Sequence, residues 1–118
     1  MQVTPQLFTE ILLIEPQIFR DRRGHFLEIF QARRYPEHGL PSDFVQDNLS
    51  YSLRGALRAL HYQLHFPQGK LIVPLAGEIW DVVVDVRRGS PTFGQWLSVV
   101  LTAEPCRQLY VPPGFAHG

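Results

Sequence analysis

The chain carries a single cysteine, Cys106, in 118 residues, so no disulfide can close within it. A lone thiol of this kind fits a cytoplasmic protein. Charge of one sign is not in excess: eleven Lys and Arg balance eleven Asp and Glu. That removes the global electrostatic case for nucleic acid or an anionic membrane as partner, and any anion has to be met by local groups. Apolar runs long enough to span a bilayer are missing, and the N-terminus lacks the basic start and apolar run of a signal peptide. Repeats, low-complexity tracts and linkers are absent too, so one domain is expected over residues 1–118.

Punctuation, by contrast, is plentiful. Ten prolines and nine glycines cut the chain into short pieces, and the pieces are rich in β-branched and aromatic residues or alternate as half-buried strands do. Strands are predicted at 11–14, 25–30, 44–52, 57–63, 70–75, 78–86, 95–101 and 107–111, with turns at 20–24, 67–69, 87–94 and 112–114. Only 31–39 suggests a helical turn. In EIWDVVVDV, parity puts Trp80, Val82, Val84 and Val86 on one face, expected to be packed, and Asp81 and Asp85 on the other, expected to be polar. Pro74 should bend the 70–75 piece or confine it to an edge, because proline has no ladder donor. Many short strands with turns between them imply an all-β sandwich or jelly-roll barrel. The final VPPGFAHG does not read as a polar, frayed end; it suggests a strand, a turn and the start of a wall.

Arg58, His61, Gln63 and Lys70 form the most reactive group of side chains. If 57–63 is a strand, His61 and Gln63 share a face, and Arg58 reaches it only through a bulge or strong twist. Taken alone, His61 reads as a histidine satisfied by a backbone carbonyl, and Lys70 and Arg58 as solvated cations. Taken together they suit abstraction of a C–H proton beside a carbonyl: a neutral imidazole takes the proton, and the cations stabilise the enolate. Arg22 or Arg23, beside Gly24, can hold a phosphate by paired hydrogen bonds. Glu28 shares strand parity with Phe26 and can accept from a ring or sugar. His25, His38 and Asp81 read more simply as structural.

GALRALH fits the G-x5-H opening of the cupin metal motif, and PPGFAH its later P-x-G-x2-H piece. The second histidine of that motif is replaced by Gln63, His65 is out of phase, and the Lys70 ammonium repels a divalent cation. No catalytic metal is therefore expected.

The segments RDRRGHFLEIF, FVQDNLSYSLRGALRALHYQ, QGKLIVPLAGEIWDVVVDVRRGSPTFGQW and RQLYVPPGFAHG resemble, in order and spacing, the dTDP-4-dehydrorhamnose 3,5-epimerase family. The resemblance implies a cupin-type jelly roll, a homodimer, and a cytoplasmic enzyme of dTDP-rhamnose and cell-surface polysaccharide biosynthesis that needs no metal or cofactor. It makes His61 the base that removes protons at C3 and C5 of a dTDP-4-keto-6-deoxyhexose, and places Lys70 by the 4-keto oxygen. It gives Arg23, Phe26, Glu28, Gln46, Asn48, Arg58, Gln63 and His117 to substrate binding, some of the N-terminal ones reaching a neighbouring subunit's site.

Three features depart from the family pattern: Ala59 in place of a more usual glycine, Pro74, and an altered 64–67 loop. The family also has further chain beyond the part matched, bearing a general-acid tyrosine, an aspartate that pairs with the base, and an aromatic that stacks on thymine. A chain lacking these is expected to leave apolar face and strand edges uncovered and to be much less active. Two alternatives stand beside two-carbon epimerisation: a single-carbon epimerase, and a cupin that binds a nucleotide sugar without catalysis.

Overall fold

The computed structural model describes all of Met1–Gly118. Its strands are β1 (Gln2–Pro5), β2 (Leu12–Glu15), β3 (Ile18–Asp21), β4 (Gly24–Leu27), β5 (Lys70–Ile72), β6 (Glu78–Asp85), β7 (Trp96–Thr102), β8 (Gln108–Val111) and β9 (Phe115–His117). The one helical element is a 3-10 turn at Pro36–His38, within the stretch where the sequence suggests one. All ladders are antiparallel, in a sheet of order β1-β2-β8-β5, a second of order β7-β6-β9 and a separate β3-β4 hairpin. The all-β class expected from the sequence is borne out.

The two larger sheets enclose the main core. Leu13 of β2 and Leu109 and Val111 of β8 meet Val83 of β6, Leu97, Val99 and Leu101 of β7, and Phe115 of β9, with Phe8 and Ile11 closing the end. A second cluster lies on the far face of the first sheet, where Leu12, Ile14 and Tyr110 pack under Tyr35 and Leu40. Covered on both faces, β2 and β8 cannot alternate, and their apolar runs LLI and LYV follow from that. Tyr35 ties the covering segment down: its hydroxyl donates to Ile29 O at 2.6 Å and meets Gln108 Oε1 at 3.0 Å, while Gln108 Nε2 donates to Ile29 O at 3.0 Å.

Two expectations are corrected. In β6 it is Asp81, Val83 and Asp85 that point inward, against Val99 and Leu97 of β7, while Trp80 is exposed and Val82 and Val84 are only half-buried. Alternation reveals two faces but not which of them a second sheet will cover. Here the inward carboxylates are retained because each finds polar partners, Asp81 at His117 and Asp85 at Arg87, Ser90 and Thr92. The second correction concerns 44–52 and 57–63, which form no strands. Only His61 makes a bridge, and Val45, Leu49 and Leu57 are exposed. Strand propensity is expressed where a neighbouring strand supplies ladder bonds and cover, and these residues have such a neighbour at one position. The Pro74 expectation holds: β5 is an edge strand and stops at Ile72.

Candidate functional site

The segment 111–117 assembles the site. At one end Val111 pairs with Lys70 in the β5–β8 ladder; at the other His117 pairs with His61. Between them the turn at 112–114 carries the chain from one sheet to the other. The second contact is a full backbone exchange, His61 N–H to His117 O at 2.9 Å and His117 N–H to His61 O at 3.1 Å. Gly118 extends it along β6, exchanging bonds with Val82 at 2.8 and 3.1 Å. A Cβ on Gly118 would lie 2.6 Å from Ala59 Cα. The 58–61 backbone therefore rests directly on that glycine, and this is how an otherwise unpaired segment is held in register.

Side chains at the bridge differ in environment. The His117 imidazole is half-buried, and its Nδ1 lies 3.3 Å from Asp81 Oδ2. Asp81 is buried, and its other oxygen, Oδ1, has no hydrogen-bond partner in the chain. Buried polar atoms are nearly always satisfied, so an orphan carboxylate oxygen beside an imidazole marks a place where a donor from outside the chain can enter. Asp81 is the functional candidate that sequence reasoning passed over. Its signal was parity, since it shares a face with Val83 in a strand whose outer face is otherwise apolar.

His61 itself is exposed, its backbone fixed by the bridge and its ring open to a solute. Lys70 donates to Gln68 Oε1 at 2.5 Å, and Arg58 to Ser52 Oγ at 2.8 Å and Tyr51 O at 3.3 Å. Both cations are thus held by neutral acceptors, which leaves their charge uncompensated and available to an anion. Gln63 follows His61 on the exposed segment, where the expected common strand face does not form. Gln46 and Asn48 bond each other at 3.0 Å in the 44–52 stretch, also exposed.

The remaining sequence candidates sit elsewhere. Arg23 caps the β3–β4 hairpin, with its Nη2 2.6 Å from Asp21 Oδ2. That guanidinium holds the Asp21 carboxyl below the ordinary aspartate range. Phe26, exposed on β4, faces Phe19 at a centroid distance of 6.5 Å, and Glu28 is paired with Arg34. The hairpin shares no ladder with either sheet of the sandwich. The structure thus brings His61 to His117 and His117 to Asp81, sets Lys70 at the other end of 111–117, and leaves Arg23 and Phe26 on the separate hairpin with Glu28 just beyond it. No three side chains among His, Cys, Asp and Glu are grouped so as to hold a metal ion, and no helix is long and apolar enough to cross a membrane.

Comparison with known proteins gives this arrangement its context. A family model described as dTDP-4-dehydrorhamnose 3,5-epimerase matches residues 6–118. The dTDP-4-dehydrorhamnose 3,5-epimerase of Pseudomonas aeruginosa is 51% identical over 119 residues, a match covering 100% of this chain and 66% of the relative. Among solved structures, dTDP-6-deoxy-D-glucose-3,5-epimerase from Legionella pneumophila, in complex with dTDP-4-keto-L-rhamnose, is 53% identical with a TM-score of 0.92, over 98% of this chain and 62% of that one. ChmJ, a 3'-monoepimerase from Streptomyces bikiniensis in complex with dTDP-quinovose, is 36% identical with a TM-score of 0.87, over 96% of this chain and 58% of that one. The jelly roll expected from the sequence is thereby borne out as the fold of these epimerases. The chain spans about two thirds of the length of its curated relatives. On the match over 6–118 and on these identities, the chain belongs to the dTDP-4-dehydrorhamnose 3,5-epimerase family.

Proposed function

We propose that the chain carries the proton-abstracting site of a 3,5-epimerase acting on dTDP-4-dehydro-6-deoxy-D-glucose, in the formation of dTDP-L-rhamnose for cell-surface polysaccharide. The observation that carries this proposal is the pairing of both reactive groups with one short segment, His61 with His117 and Lys70 with Val111. In the reaction, an imidazole nitrogen of His61 takes the proton from the carbon beside the 4-keto group. The electron pair left behind moves to the ketone oxygen, and Lys70 stabilises that enolate. Groups aimed at developing charge are commonly the largest catalytic contribution, and losing one costs about 10²–10³ in rate. Inversion is complete when a proton returns to the opposite face from a second acid, the role that the family resemblance gives to a tyrosine.

Arg58 and His117 contact the sugar or diphosphate in this scheme, joined by Gln46, Asn48 and Gln63. Arg23 and Phe26 on the separate hairpin, and Glu28 just beyond it, are proposed to serve a second subunit's site in a homodimer. Residues 1–118 are proposed to act as one domain, in the cytoplasm, with no metal or organic cofactor. The ligand of the Legionella relative supports a nucleotide-sugar substrate.

The test is hydrogen exchange into substrate. The protein, incubated with dTDP-4-keto-6-deoxyglucose in D2O, should place deuterium at C3 and C5, and His61→Ala should abolish it. Exchange undiminished in His61→Ala removes the histidine from the mechanism. Deuterium at C3 alone makes the protein a single-carbon epimerase, the chemistry named for the 36% identical ChmJ. Tight binding of the sugar nucleotide with no exchange makes it a binding protein.

A further inference from the structure

At the end of β6 the chain turns through a charge cluster centred on one buried carboxylate, which the proposed chemistry does not use. Asp85, with its side chain 0% exposed, accepts from the backbone N–H, Nε and Nη2 of Arg87 at 2.9, 3.0 and 2.9 Å. Ser90 Oγ and Thr92 Oγ1 each add a bond to Asp85 Oδ2 at 2.6 Å. On its other side Arg87 donates through Nη1 to Glu10 Oε1 at 2.7 Å. Held between two carboxylates, the guanidinium carbon stands 4.3 Å from the centroid of Phe115, within range of a cation–π contact. Gly114 makes room for it: a Cβ there would come within 2.6 Å of Arg87 Cγ, and the residue's φ of +94° already favours glycine.

Phe115 opens β9, the strand that carries His117. β9 has three residues, and its pairing is thin. On one side β6 pairs with it at Asp85↔Phe115, Val84↔Ala116 and Val83↔His117; on the other there is only the single bridge to His61. A strand so short is placed as much by what grips its side chains as by its ladder. Phe115 is buried and gripped twice, by Arg87 above its face and by Phe8 at a centroid distance of 5.6 Å.

We propose that Arg87 is a positioning residue for the His61–His117 site: anchored by Asp85 and Glu10, it clamps the Phe115 ring and so fixes where β9 presents His117 to Asp81 and to the His61 backbone. Arg87 touches neither histidine, and its effect on rate rests on the function proposed above. The grip on β9 does not, and can be measured without substrate.

Two measurements on the full chain test it. In Arg87→Ala, the amides of His117 and Gly118, which donate to His61 O and Val82 O, should exchange with solvent about tenfold faster, as expected for a lost cation–π contact. The amides of the β6–β7 ladder report the global loss that stranding Asp85 brings, and those of His117 and Gly118 should rise about tenfold beyond it. In the epimerase assay kcat should fall by up to about 10²-fold, the size of a misplacement effect, with KM within about twofold. Arg87→Lys keeps a charge and an aliphatic stem but not the planar fork, and should recover only part of both. If Arg87→Ala does not fold, Phe115→Leu, which keeps the apolar volume and removes the ring face, carries the same expectations. Exchange at 117 and 118 that is unchanged, or that rises equally in every strand, overturns the proposal, because Arg87 then supports the fold as a whole or nothing at all. A wild-type protein that exchanges no substrate hydrogen defeats the function proposed above, while the amide result still decides whether the clamp exists.

Discussion

Asp85→Asn should be the most destabilising single polar substitution in the chain. Five donors converge on the two oxygens of this carboxylate, three from Arg87 and one each from Ser90 and Thr92. The amide presents a donor of its own to some of them and leaves Arg87 short of a counter-charge. Breaking a buried ion pair by removing one partner costs about 3–5 kcal/mol. The lower end applies, since the Arg87 side chain is 34% exposed and keeps its bond to Glu10. Against a total stability of roughly 6–18 kcal/mol for a chain of 118 residues, a loss of about 3 kcal/mol is large. With a urea m-value of about 2 kcal/mol/M, the midpoint should drop by about 1.5 M with m unchanged. The sign of the pH dependence follows from the direction of the shift. Arg87, against the opposing effect of burial, holds the Asp85 carboxyl far below the ordinary aspartate range. A depressed folded pKa gives stability that is present above the unfolded value of about 3.9 and is lost as pH falls below it. The gap between wild type and Asp85→Asn should therefore be constant from pH 7 down to about 5 and narrow below about 4. A midpoint shift under about 0.4 M, or a gap that widens in acid, would refute the reasoning.

Three further outcomes are expected. Lys70→Met should lower the rate of deuterium incorporation by about 10²–10³-fold with substrate affinity changed far less, because in the proposed mechanism its charge acts only when the ketone oxygen becomes anionic; isothermal titration alongside the exchange assay separates the two. Tyr35→Phe should cost about 1–3 kcal/mol in urea unfolding by removing the hydroxyl that Ile29 O and Gln108 Oε1 share, and should also flatten the alkaline limb. Burial pushes the Tyr35 phenol up to about 12, so the stability it brings is full below about pH 10 and lost between about 10 and 12. Gly118→Ala should release the His61 amide to fast exchange, because the new Cβ meets backbone at Ala59 and not a side chain that can move aside.

How much of this was legible beforehand depended on what each residue needs from distant parts of the chain. The runs LLI, LYV and WLSVVL announced strands, and the structure has them, because β-branched and large apolar residues there fill a core between two sheets. FVQDNLSYS and LRALHYQ carry similar residues and form none, because propensity cannot report whether a partner strand lies alongside. The inward face of β6 was misjudged for a related reason. Valine and tryptophan outweigh aspartate in any count of apolar character, yet Asp81 and Asp85 go inside because a histidine and an arginine, distant or still to come in the chain, meet them there. His61 and Lys70 were named from residue chemistry. That they converge on the two ends of 111–117 could not be read from either, since it rests on β8 and β9 belonging to different sheets.

That change of sheet suits the chemistry proposed above. A base and an enolate-stabilising cation must approach one small ketone without neutralising each other's partners, and two groups on adjacent strands of one sheet would compete for the same few ångströms of space. Here Lys70 is placed by the β5–β8 ladder and His61 by the β9 bridge, so that each is set by a different layer and the turn at 112–114 sets the offset between them. β8 is buried on both faces and does not yield. β9 is short, thinly paired and gripped through Phe115. On the β9 side that placement depends on the grip of Arg87 on Phe115, which is why perturbing Arg87 should be felt in kcat as well as in stability, while perturbing the β2–β8 core should be felt chiefly in stability.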